Sequence, residues 1–185
     1  MSIPVPGRVL LDTNVINLIV DRAEILFDGE PLPNDIPESE REDIVSLHQL
    51  FLVGDRAQWE LAVSPTTARE ISNTTDPIRR RALERAFGEY LNYWWDIAAE
   101  YGDVDEAYAV DLGRRIAAAS VLKSLPDLAD RELVAHAIAY GCDALCTRDR
   151  RTILRHRGKI NVGPLDIISP GEWWAKVRPY AALWM

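Results

Sequence analysis

Cysteine is scarce in this chain, with two among 185 residues, Cys142 and Cys146. Four positions apart in a stretch that reads as a strand, their sulfurs stand too far apart for a disulfide, so both are expected as buried, reduced thiols. No apolar run approaches the roughly 18 residues that a membrane span needs, which argues against a transmembrane helix. The opening MSIPVPGRVLLD lacks the basic-then-apolar order of a secretory leader, and a cytoplasmic location is the expectation. Internal repeats and low-complexity tracts are missing too, which excludes solenoids and disordered arrays. The three histidines, His48, His136 and His156, lie far apart without zinc-like spacing. His136, on an alanine-rich helical stretch, reads as a packing residue, and no Ser-His-Asp or Cys-His arrangement emerges.

An excess of positive charge is also lacking. Against 21 Lys+Arg stand 29 Asp+Glu, a formal net charge of −8, which at first opposes a nucleic-acid ligand. Resolved by position, residues 21–60 hold 11 acids and 3 bases, so the whole excess sits in one stretch and the rest of the chain is balanced. The pI of about 4.9 therefore describes an acidic segment attached to a neutral body. Within that body, residues 148–159 hold six bases and one acid. Such a run could contact phosphates, with Arg148, Arg150 and Arg151 nearest the end of a strand, although it could equally be a solvated helix face.

With 48% hydrophobic and 27% charged residues, the chain has the profile of one globular domain over 1–185. RVLL at 8–11 reads as a buried strand that runs through Asp12-Thr13-Asn14 into a helix. Residues 28–38, with three prolines, read as a surface loop, and Ser39 with Glu42 as a capping box for a helix to about Val53. The strand LAVS at 61–64 leads through Ser64-Pro65 into a second helix, and Asp76-Pro77 opens a long one with Leu83, Phe87, Tyr90, Leu91 and Trp94 on one face. A Gly102-Asp103 break precedes a helical stretch over roughly 106–124. Asp127 or Asp130 then caps a helix that ends at Gly141. The strand ALCT at 144–147, the basic helix-like run, a strand near 166–168 and a last helix opened by Ser169-Pro170 complete the chain. The tryptophan pairs at 94–95 and 173–174 fit core packing better than base stacking. Strands alternating with helices predict a three-layer α/β/α sandwich around a mainly parallel sheet, with helical additions and an acidic insertion at about 21–60.

In open parallel sheets, ligands bind at the carboxyl ends of the strands. Asp12 closes the first strand, Asp149 follows ALCT, Glu70 lies in the helix after the second strand, and Asp130 starts the helix leading to ALCT. All four can face one end. Crowded carboxylates raise one another's pKa, and a fold keeps them mainly when a cation or a shared proton neutralises them. Oxygen donors without His or Cys point to Mg2+ or Mn2+, and the chemistry such ions support is phosphodiester hydrolysis. Each acid also has a plainer use: Asp12 and Asp130 as helix caps, Glu70 as a solvated helix acid, Asp149 as a surface partner of its neighbouring arginines.

The strings VLLDTNVI at 9–16, TTAREI at 66–71, DRELVAHAIAYGCDALCTRD at 130–149 and DIISPGEWW at 166–174 together resemble the PIN-domain ribonucleases. The resemblance runs through most of the chain apart from the acidic insertion. It implies a metal-binding acidic site of Asp12, Glu70, Asp130 and Asp149, with Asn14 and Thr147 as polar supports. It further implies Mg2+- or Mn2+-dependent cleavage of RNA leaving a 5′-phosphate and a 3′-hydroxyl. Many members of the family are dimeric toxins masked by an antitoxin, so an antitoxin-like partner and a homodimer are further expectations. The length, the insertion and the helices near 76–124 depart from the small toxins. An inactive RNA-binding module of the same fold, a DNA-directed nuclease and a phosphatase are the alternatives. The acidic insertion is expected either to restrict access of RNA or to bind a basic partner.

Overall fold

The computed structural model describes residues 5–101 and 105–183, so the leading residues 1–4 and the Gly102-Asp103 break lie outside the described residues. Four short strands, β1 (Arg8–Leu11), β2 (Glu60–Ala62), β3 (Ala144–Cys146) and β4 (Asp166–Ile168), pair in parallel in the order β2-β1-β3-β4. The register sets Leu10 opposite Ala62 on one side and Leu11 opposite Cys146 on the other. Parallel strands need crossovers that cover both faces, which is why β1 after Arg8 and the whole of β3 are apolar and buried.

The crossovers are helical: α1 (Thr13–Asp21), α2 (Ala23–Phe27), α3 (Glu38–Ala57), α4 (Pro65–Ser72), α5 (Pro77–Tyr101), α6 (Glu106–Ala118), α7 (Leu128–Ala139), α8 (Ile153–His156) and α9 (Pro170–Val177). Side-chain alternation along β1 divides the core. Val9 and Leu11 join Ile16, Leu47, Trp59 and Trp173 on one face, while Leu10 joins Trp94, Val134 and Leu145 on the other. The sheet is thus covered on both sides, as the alternation of strands and helices predicts. Trp94 and Trp173 are buried, so each tryptophan pair sends one ring into the core.

Several start signals act as the sequence indicates. Ser64 accepts the Thr67 amide at 3.2 Å, Asp76 accepts the Ile78 amide at 2.9 Å, and Ser169 with Glu172 forms a capping box. Asp127, not Asp130, caps α7 by accepting the Ala129 amide at 2.9 Å, leaving Asp130 in the first turn. The Ser39–Glu42 box does not form. Pro37 occupies the cap position and its carbonyl takes the Glu40 and Arg41 amides at 3.0 Å, so Ser39 is already inside the helix.

The acidic stretch is not a decoration. Its α3 buries Ile44, Leu47, Leu50 and Val53 in the core and packs on α9, with Glu38 and Glu42 exposed and Asp43 buried. A charge count registers the outer face and misses the apolar stripe beneath it. The basic run is not one helix either. It contains a single α-turn, α8, followed by a 3-10 turn at Arg157–Lys159. Cys142 sits in the turn before β3 rather than in the strand; both thiols are free and buried, and burial raises the pKa of each.

Helices α6 and α7 meet closely at Gly113, where a Cβ would lie 2.8 Å from His136 Cδ2; on α5, Gly88 faces open space. Gly113→Ala is expected to destabilise the fold by about 1–3 kcal/mol through overpacking. Gly88→Ala should stabilise it by about 0.5–1 kcal/mol through helix propensity. Urea denaturation of the two variants measures both signs.

Candidate active site

The carboxyl ends of β1 and β3 are adjacent because the two strands pair, and the Asp12 amide continues the ladder with a 3.0 Å bond to the Cys146 carbonyl. Asp12 therefore lies beside Thr147. Its Oδ2 accepts the Thr147 hydroxyl at 2.5 Å and the Asn14 amide nitrogen at 2.6 Å. Asn14 also reaches Thr147 Oγ1 at 3.3 Å, and its own Oδ1 accepts the Arg148 backbone amide at 2.8 Å. The two expected supports thus tie the Asp12 loop to the segment after β3. Asp12 is 5% exposed, and its pKa is pushed up to about 7 by burial and by the Glu70 and Asp130 charges, against the lowering effect of the Thr147 bond.

Glu70, exposed on α4, accepts a hydrogen bond from the Thr13 hydroxyl, which fixes it next to the Asp12 loop. Asp130, freed from capping by Asp127, is half-buried. Burial raises its pKa, and the charges of Asp149, Asp127 and Glu70 add to that, while the Thr152 hydroxyl offsets part of it. Among the described residues its Oδ2 is buried without a hydrogen-bond partner. An orphaned carboxylate oxygen in an acidic neighbourhood is costly unless a proton or cation completes it.

Asp149 stands differently. Its Oδ1 accepts the Arg151 and Thr152 amides, each at 2.9 Å, and its Oδ2 accepts the Thr152 hydroxyl. Burial would raise its pKa, but these bonds outweigh it and hold the carboxylate ionised below the usual range. Asp149 therefore shapes the turn that opens the basic run as well as facing the cluster. Thr13 and Thr152, which anchor Glu70 and Asp149, escaped the sequence reading. The signal available was a hydroxyl one residue after Asp12 and another three residues after Asp149.

The expected phosphate-binding arginines are largely engaged. Arg148 Nε and Arg150 Nη2 each lie 3.0 Å from Asp43, on opposite oxygens, and Arg148 also approaches Glu40 at 3.6 Å. Asp43 is buried on α3, 1% exposed beneath these two arginines, so the acidic stretch finds basic groups within its own chain. Arg157 is held by Glu172 in a two-pronged pair. Arg151, Arg155 and Lys159 are exposed and form no ion pair among the described residues.

The donor set of Asp12, Glu70, Asp130 and Asp149 suits a hard divalent cation in kind, and the orphaned Asp130 oxygen fits one. The side chains stand apart, and among the described residues no group of three or more Asp, Glu, His or Cys is gathered closely enough to hold a metal ion. Carboxylates without a neutralising charge repel one another, which accounts for this spacing. No protein-family model matches the chain, and no curated protein or solved structure matches it.

Two outcomes are expected. The folded protein retains the Asp12 proton where the unfolded chain has released it, so without added metal this group makes stability fall as pH rises from about 4 to 7. Asp12→Asn should flatten that slope and stabilise the protein by about 2–4 kcal/mol near pH 8, as read by urea unfolding across the range. Asp43→Ala releases two partly exposed arginines and should cost about 1–3 kcal/mol, measured the same way at pH 7.

Proposed function

We propose that the protein is a metal-dependent endoribonuclease whose carboxylate cluster acts at the ends of β1 and β3. The observation carrying this reading is the buried Asp12 carboxyl, whose pKa is pushed up to about 7 by burial and by the charges of Glu70 and Asp130. A fold that keeps this arrangement places negative charge where a cation lowers its energy. The resemblance of VLLDTNVI, TTAREI and DRELVAHAIAYGCDALCTRD to the PIN-domain ribonucleases supports the choice of RNA.

Asp12, Glu70, Asp130 and Asp149 are the residues that would hold the ion. A bound Mg2+ or Mn2+ supplies charge neutralisation for a phosphodiester and an activated nucleophile. Thr147 and Asn14 orient Asp12 from below, leaving its carboxyl a fixed direction rather than a range of rotamers. Thr13 does the same for Glu70. Arg151, Arg155 and Lys159, free of internal acids, hold the RNA backbone, while Arg148 and Arg150 remain clamped to Asp43.

One observation favours a second reading, an RNA-binding module without turnover. Both Asp149 oxygens are already satisfied by the turn that follows. Incubation of single-stranded RNA with Mn2+ and the native protein decides between them. Cleavage is expected, with Asp12→Asn slower by about 100-fold or more and chelation abolishing it. Retention of RNA without cleavage supports the module, and equal rates for native and variant remove the nuclease reading. Duplex DNA and a small phosphate ester in parallel reactions test the restriction to RNA.

A further inference from the structure

Between α1, α2, α3 and α5, on the face opposite α7, lies a cavity of about 670 Å3, none of whose lining residues belongs to the carboxylate cluster. Its size falls within the roughly 300–1,000 Å3 of small-molecule sites. Six aromatic side chains line it: Phe27, Phe51, Trp59, Tyr90, Tyr93 and Trp173. They are arranged before any ligand arrives. Phe27 and Phe51 are tilted at 5.2 Å, Trp59 and Trp173 stand edge-to-face at 5.1 Å, and the Tyr93 hydroxyl donates to the Trp59 carbonyl at 2.7 Å. Gln58, which closes α3 in a left-handed conformation with φ 52°, also contributes to the wall.

The charge of the lining is one-sided. No lysine or arginine is among its described residues, and Glu89 is its one charged member. Glu89 meets Arg85 at 3.4 Å with both side chains largely in solvent, a weak pairing that leaves its field available. Burial, with Glu89 adding, pushes the Tyr90 phenol up to about 12, so its hydroxyl stays protonated. Ring faces carry negative potential and attract cations, and ring edges favour other rings beyond what buried area alone provides. The geometry points to a binding site for a small planar aromatic molecule, neutral or positively charged, seated among these rings with its polar end toward Glu89. The site is independent of the nuclease reading and stands or falls separately.

The test uses the full chain and three naphthalene probes that differ only in one substituent: neutral, trimethylammonium and sulfonate. Saturable one-to-one binding is expected, with affinity in the order cation, neutral, anion. Ala23 on α2 and Ala86 on α5 both line the cavity, so Ala23→Phe and Ala86→Phe each fill part of it and should each weaken binding at least about tenfold. Glu89→Gln is on the surface and leaves the packing intact. It should reduce the preference for the cation over the neutral probe by about threefold at low salt. Non-saturating partition, tightest binding of the sulfonate, or a cation preference unchanged in Glu89→Gln would each overturn the assignment. So would full affinity in filled variants that unfold cooperatively.

Discussion

The parallel pairing of β1 with β3 is the constraint on which the candidate site depends. With Leu11 opposite Cys146, the next residues on each strand, Asp12 and Thr147, leave the sheet side by side. A slip of one residue would turn Asp12 to the other face and break its bond to Thr147. The register is held because Val9 and Leu11 belong to one core and Leu10 to the other, so any slip would exchange two fully buried sets. The Asp12–Thr147–Asn14 network is a consequence of that pairing, since each of its members comes from one of the two strand ends.

Electrostatics then divides the molecule in two. At the strand ends, Asp12, Glu70 and Asp130 form no ion pair among the described residues, and burial raises the pKa of Asp12 and Asp130. One step away, on α3, Asp43 takes two arginines and Glu40 takes Arg22 at 2.8 Å. Bases are fewer than acids in this chain, 21 against 29, and the ones near the strand ends pair with Asp43 and Glu40 rather than with the cluster. An unneutralised group costs stability, and a fold tolerates that cost where the group performs chemistry. The clamp at Asp43 also anchors the segment carrying Asp149 to a core helix.

Much of this architecture was legible in the residues. Short apolar runs followed by Asp-Thr-Asn, Ser-Pro and Ser-Pro-Gly-Glu mark where strands end and helices begin, because caps act locally. The position of Asp12 at the end of β1 followed from the same local signals, whereas they left Asp127 and Asp130 open as the cap of α7, which Asp127 fills. Three features were not legible. The α3 core stripe was concealed by the charge on its outer face. The fates of Arg148 and Arg150 depend on Asp43, more than a hundred residues away, and sequence spacing carries no information about such a pair. The short α8 was misread as a longer helix because the Asp149 side chain captures the amides that a helix would have used.

The central claim is that the orphaned Asp130 oxygen and the raised Asp12 carboxyl mark a place for a divalent cation. Calorimetric titration of the metal-free protein with Mn2+ addresses it most directly, with Asp130→Asn as the comparison. The account predicts saturable binding by the native protein, proton release on binding near pH 6.5, and marked weakening in the variant. Absence of binding, or equal affinity in Asp130→Asn, would contradict it.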